Sequence, residues 1–221
     1  MIKPIPLCDR DEFYQNKYLN TIVDISLENL GNKLFLMIID LISHSNLKYV
    51  NKIIEMYKLR VIGSQKEIYN NIKLCFENIY NDEVNKDNLR GAFLELLVYK
   101  LLNKKYSSEP GYVSSLHCNV EIFGNFDDYK PVDVFAFWGS EGFVSENKLG
   151  PCFFENHDIE NLNKIYVESE YYLKPYIVTL ATKSFIDKKL NELYLEDSSN
   201  VWVNGSNIEI ISANNIESFF S

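Results

Sequence analysis

Three charged residues stand inside two apolar runs. Asp133 sits in Val132-Asp133-Val134-Phe135-Ala136-Phe137-Trp138, and Glu146 and Lys148 sit in Gly142-Phe143-Val144-Ser145-Glu146-Asn147-Lys148-Leu149. The spacer Gly139-Ser140-Glu141 joins them. Two β-rich runs around a glycine-containing loop predict a hairpin. Residues i and i+2 of a strand share a face, so Glu146 and Lys148 point the same way. With Asp133 opposite, three charges converge in an apolar sheet. Burying them is costly unless they pair with one another or hold a metal. Runs with apolar residues on both faces, as around Asp133, belong to strands buried on both sides. The plainer alternative is a solvated strand on which Glu and Lys at i and i+2 merely sit side by side.

The elements that must position these groups extend upstream. Leu89-Arg90-Gly91-Ala92-Phe93-Leu94-Glu95-Leu96-Leu97 continues into Val98, Leu101 and Leu102. A helix that is apolar nearly all round is buried, and Glu95 inside it needs a reason. Downstream, Asp158 stands where it could cap a helix with apolar positions Ile159, Leu162 and Ile165. Pro175 to Ala181 reads as a strand with Pro at its first residue, Lys183 to Leu195 as a helix, and Asn214 to Phe220 as a last helix. Val201 to Val203 and Ile208 to Ile211 read as short strands flanking the turn signal Asn204-Gly205.

Pro131, Asp133 and Glu146-Asn147-Lys148, with Val132 inserted and Glu95 on the preceding helix, resemble the PD-(D/E)XK nuclease superfamily. The resemblance covers residues 88 to 182. It implies a restriction-endonuclease-like α/β fold, with a mixed central sheet flanked by helices. It also implies a Mg²⁺- or Mn²⁺-dependent endonuclease acting on nucleic acid, DNA before RNA, in a restriction or other defence system. Asp133, Glu146 and the Asn147 carbonyl would be metal ligands. Lys148 would stand beside the attacking water, and Glu95 would serve a second metal or a metal-bound water. The catalytic set so implied is Glu95, Asp133, Glu146 and Lys148. A nuclease-like domain that binds a protein partner without catalysis is the other reading.

Residues 1–87 read as a helical N-terminal lobe and 88–221 as the nuclease-like domain. Phe13, Tyr14, Tyr18 and Ile22 form one apolar stripe. Leu27, Leu30, Leu34, Met37, Ile38 and Leu41 form a second, and Leu47, Val50, Ile53, Ile54 and Tyr57 a third. Ser64-Gln65-Lys66-Glu67 has the form of a capping box opening a fourth helix. Such a lobe could recognise substrate, mediate a homodimer, dock a partner protein or serve only as a helical cap that completes the core.

Composition frames these readings. The chain has 221 residues, 46% of them hydrophobic, enough for a sizeable core. No apolar run approaches the length that crosses a bilayer, so no membrane association is expected. Four widely spaced cysteines without a C-x-x-C suggest cytoplasmic thiols. A P-loop, G-x-G-x-x-G, G-x-S-x-G and H-E-x-x-H are absent from the sequence, which removes several large enzyme classes. The net charge is −9. Nucleic-acid binders usually show a basic face, so acidity predicts a weak grip on nucleic acid.

Overall fold

The computed structural model describes residues 1–58, 65–124, 131–196 and 207–220. The chain divides into two compact units, one of Met1–Arg10 with Val98–Ser221 and the other of Asp11–Leu97. The division runs through helix α6, Lys86–Tyr106.

The first unit holds a six-stranded sheet in the order β1 (Ile2–Pro6), β2 (Val113–Ile122), β3 (Val132–Trp138), β4 (Glu141–Lys148), β5 (Leu173–Thr179) and β6 (Glu209–Ser212). Strands β1 to β4 pair antiparallel, whereas β4, β5 and β6 pair parallel. The fold is thus mixed α/β. Parallel neighbours need a crossover, and α7 (Asn156–Glu168) supplies the one between β4 and β5. Helix α8 (Lys183–Glu196) lies between β5 and β6 in the chain, and α9 (Ile216–Phe220) follows β6.

The expected hairpin is β3–β4. Gly139 turns it at a φ of 60°, which a glycine adopts without penalty. Gly142 is needed for a different reason: a Cβ there would lie 2.5 Å from Leu173 Cδ2 and 2.8 Å from the Ala136 carbonyl oxygen. Residues 142–147 of β4 are all buried, as a central strand covered on both faces requires. Phe135 and Val144 join Ile159, Leu162 and Ile165 of α7, with Leu173 and Ile177 of β5, in one apolar cluster. That cluster anchors α7 relative to the hairpin. Phe143 stacks on Tyr176 at 4.4 Å, Phe219 of α9 meets Tyr176 edge-on, and Phe219 and Phe220 lie tilted against Phe143.

The second unit is helical, with α1 (Asp11–Tyr14), α2 (Lys17–Glu28), α3 (Lys33–Ser43), α4 (Leu47–Lys58), α5 (Gln65–Asn81) and the first half of α6. Two of the expected stripes are interrupted. Asn16 caps α2 through its side-chain oxygen, which accepts the N–H groups of Tyr18 and Leu19. Asn32 does the same for α3 at Leu34 and Phe35, so Leu27 and Leu30 precede α3 instead of belonging to it. The far end of α3 is closed by buried Arg90, whose Nε donates to the Ile42 carbonyl at 2.8 Å and Nη2 to the Ser43 carbonyl at 3.0 Å.

Three differences from the sequence reading have physical causes. Residues 1–87 are not helical throughout: Ile2–Pro6 form an edge strand on β2, and the compact helical unit begins at Asp11. A five-residue strand containing two prolines shows no clear alternation, and edge strands tolerate proline. Pro175 is the third residue of β5, and β6 pairs with β5 only from Tyr176 onward. Val201–Val203, Asn204-Gly205 and Ser64 of the expected capping box lie outside the described residues.

Candidate functional site

The site forms where β3 begins and β4 ends. The β3–β4 ladder runs to Val134 opposite Ser145, so one further step along both strands sets Asp133 opposite Glu146. Directly opposed residues of an antiparallel pair share a face, and Lys148 follows two residues on. Asp133 replaces the next ladder bond with its own side chain: Oδ2 accepts the Asn147 N–H at 2.7 Å. The Lys148 ammonium lies 3.3 Å from Glu146 Oε2. The structure therefore brings Asp133, Glu146, Asn147 and Lys148 together.

Glu95 belongs to the helical unit. It is buried on α6, and the Tyr14 hydroxyl donates to its carboxylate. Asp133, Glu146, Asn147 and Lys148 all belong to the sheet unit.

Four groups that the sequence reading did not assign to the site also gather here. Asp158 was expected to cap α7, but Glu155 occupies the N-cap and Asp158 the third helical position. Asp158 is only 5% exposed and lies 3.0 Å from the Lys148 ammonium. His157 Nε2 stands 3.1 Å from its other oxygen, and His157 Nδ1 lies 2.9 Å from Glu155. Arg10, just beyond β1, approaches Asp133 Oδ1 at 3.5 Å. His117 sits opposite Asp133 on β2, between the pairs Leu116–Val134 and Cys118–Val132. Its φ of 38° within a strand is strained for a non-glycine residue, and such strain clusters at functional sites. His117 Nε2 lies 3.4 Å from Asp9. The run Glu155-Asn156-His157-Asp158 was a visible cluster of titratable residues at a helix start. Arg10 left no local signal, because only the β1–β2 pairing brings it near.

The electrostatics follow from this crowding. Burial pushes the Asp133 carboxyl above its ordinary value, against the Asn147 N–H, Lys148, Arg10 and His117, which pull it down. Burial, then the charge of Asp133, pushes Glu146 well above its usual range despite Lys148. For Lys148, burial favours the neutral amine, but Glu146, Asp158 and Asp133 together override it and hold the ammonium protonated. Lys148 is thus a fixed cation and a hydrogen-bond donor, not a base.

A raised carboxyl value carries a stability penalty. Between the ordinary value of 4.5 and the higher folded value, the folded state binds more protons than the unfolded one. Stability therefore falls as pH rises through that window, and the loss is complete above it. In EDTA, wild type is expected to lose melting temperature between about pH 5 and a pH well above it. Glu146→Gln should flatten that loss and gain on the order of 1 kcal/mol at the upper end. Thermal melts at both pH values check this; a Glu146→Gln protein less stable at the upper pH would show that the Lys148 pair outweighs burial and Asp133.

Among the described residues, no group of three or more His, Cys, Asp or Glu side chains is placed to hold a metal ion. Asp133 and Glu146 nonetheless offer two hard oxygen donors whose mutual repulsion a divalent cation would relieve. Mg²⁺ accepts one or two carboxylates and keeps several waters, so this donor pair fits it. No helix among the described residues is long and apolar enough to cross a membrane.

No protein-family profile matches the chain, and no curated protein matches it. Among solved structures, protein VC1899 from Vibrio cholerae is similar at 12% identity and a TM-score of 0.47, over 99% of this chain and 57% of that one. Can2 from Sulfobacillus thermosulfidooxidans, solved in complex with cyclic tetra-adenylate, is similar at 13% identity and a TM-score of 0.42, over 100% of this chain and 56% of that one. The chain thus spans little more than half the length of either structure.

Proposed function

We propose that the chain is a metal-dependent nuclease of the PD-(D/E)XK type, which hydrolyses phosphodiester bonds in DNA. The observation that carries this reading is the set of Asp133, Glu146 and Lys148 gathered on one sheet face, with Lys148 held as a cation between carboxylates. A restriction or other defence system is the setting that the sequence resemblance implies, and the cysteine usage suggests the cytoplasm.

Each residue has a task in that reaction. Asp133 and Glu146 would hold the cation, with the Asn147 carbonyl as a further ligand. A divalent cation bound there supplies charge neutralisation at the phosphate and lowers the pKa of a bound water. Lys148 donates hydrogen bonds from its ammonium to orient the attacking water and stabilises the negative charge that develops. Purified protein incubated with single- and double-stranded DNA and RNA, in Mg²⁺, Mn²⁺ or EDTA, tests the proposal. Metal-dependent cleavage supports it, and no cleavage of any substrate at high enzyme concentration sinks it.

A second reading is favoured by the completeness of the ion pairing. Lys148 already answers Glu146 and Asp158, and Arg10 answers Asp133. A nuclease-like domain that only binds a partner protein, or a second copy of itself through the helical unit, needs no more than that. Metal titration separates the two, because the binding domain has no use for a cation.

The charge balance makes a further prediction. Residues 91–221 carry 10 Lys and Arg against 19 Asp and Glu, so this half contributes all of the net −9. Phosphate neutralisation drives nucleic-acid binding, and here repulsion opposes it. DNA binding should be weak in EDTA and tighten by roughly tenfold or more when Ca²⁺ neutralises the centre, about 1.4 kcal/mol. Fluorescence anisotropy at one fixed salt concentration checks this; tight binding indifferent to Ca²⁺ would overturn it.

A further inference from the structure

We propose that Asp158 is a positioning residue that anchors the Lys148 ammonium at the reaction centre, an inference that rests on the nuclease reading for its consequence in catalysis. An acidic residue in the first turn of a helix is favoured by the helix dipole. That explains an exposed Asp at the start of α7, but Asp158 is buried. Carboxylates are almost never fully buried without a partner. The partner is Lys148, 3.0 Å away across the chain segment that leads from β4 through a short 3-10 turn, Pro151–Phe153, into α7.

The arrangement is built from rigid parts. Ile159, Leu162 and Ile165 fix α7 in the same apolar cluster as Val144 and Phe135 of the hairpin. The far oxygen of Asp158 faces His157 Nε2 at 3.1 Å, and His157 in turn faces Glu155 at 2.9 Å. A row therefore runs Glu155, His157, Asp158, Lys148, Glu146. Lysine carries its charge on a flexible four-carbon stem with freely rotating donors, so a lysine that must meet one water molecule needs an external hold. Glu146 supplies part of that hold at 3.3 Å, but Glu146 is also the proposed metal ligand. Were Glu146 to hold a cation, its grip on Lys148 would weaken. Asp158, reaching Lys148 from the α7 side, would then keep the ammonium in place.

The test uses the full chain with Asp158→Asn, Asp158→Glu and Asp158→Ala. Nitrogen-15 NMR of the lysine ammonium groups, without metal, reads the anchor directly. Wild type should show a slowly exchanging Lys148 signal, identified by its loss in Lys148→Arg. Asp158→Asn and Asp158→Ala should leave Glu146 as the remaining hold and broaden that signal by faster exchange, and Asp158→Glu should sharpen it again in part. In cleavage assays, Asp158→Asn should lower kcat by about 10- to 100-fold with KM changed by less than about twofold. Its Mn²⁺ affinity should stay near wild type, and Asp158→Glu should recover part of the rate. An unchanged Lys148 signal in Asp158→Asn overturns the anchor, whether or not the protein cleaves anything. Wild-type kcat in a folded Asp158→Asn protein whose signal has broadened overturns its catalytic consequence. Should wild type cleave no nucleic acid, the nuclease reading fails while the NMR result still decides the anchor. Should Asp158→Ala fail to fold, the isosteric Asp158→Asn and the longer Asp158→Glu carry both measurements.

Discussion

Lys148→Ala should slow metal-dependent cleavage by roughly two to three orders of magnitude, the usual loss when one donor to transition-state charge is removed. The ammonium is fixed between Glu146 at 3.3 Å and Asp158 at 3.0 Å, and both pairs raise its affinity for the proton. Its contribution is made only as charge develops in the transition state, so kcat should fall and nucleic-acid affinity should hold. The same substitution strips two buried carboxylates of their counter-charge. Breaking a buried pair by removing one partner costs roughly 3–5 kcal/mol, so the metal-free variant should melt at a lower temperature. Mn²⁺ or Ca²⁺ should restore part of that loss by replacing the missing positive charge. Steady-state kinetics and melts with and without the cation check both halves. A Lys148→Ala protein that cleaves at the wild-type rate would reduce Lys148 to a structural residue.

Asp133→Asn should abolish cleavage and weaken divalent-cation binding by about a thousandfold. Two unit charges about 4 Å apart near a protein surface interact by roughly 4 kcal/mol, which is close to three factors of ten. The fold should survive, because an amide oxygen can still accept the Asn147 N–H that Asp133 Oδ2 accepts at 2.7 Å. Removing the Asp133 charge also relieves Glu146 of its largest repulsion, so the Glu146 carboxyl should titrate closer to its ordinary value. Calorimetric titration of Mn²⁺ into wild type and Asp133→Asn measures the effect. Equal binding in both would remove Asp133 from the metal site and leave the cluster as an ion-pair network.

Local patterns reached a definite part of this protein. Strand alternation is a property of the backbone itself, so the sequence alone placed Glu146 and Lys148 on one face. A glycine-bearing spacer between two apolar runs did the same for the hairpin that sets Asp133 opposite Glu146. The apolar wrap around Glu95 likewise marked a buried carboxylate, which the structure shows hydrogen-bonded by Tyr14. The boundaries of α2 and α3 were less accessible, because an apolar stripe continues across Asn29–Asn32 while the backbone does not.

The partners of the site were decided in three dimensions. Arg10 reaches Asp133 only because β1 pairs with β2, which pairs with β3. His117 faces Asp133 through the same pairing, and its φ of 38° leaves no trace in residue type. Asp158 carried a correct local signal for a helix start, and that signal hid its other role. Its place beside Lys148 depends on how the β4–α7–β5 crossover packs α7 against the sheet. Periodicity and capping act over a few residues, so the chain alone set which charges share a strand. Which charges answer them depends on contacts between segments far apart in sequence, and only the packed sheet and its crossover helix determined those.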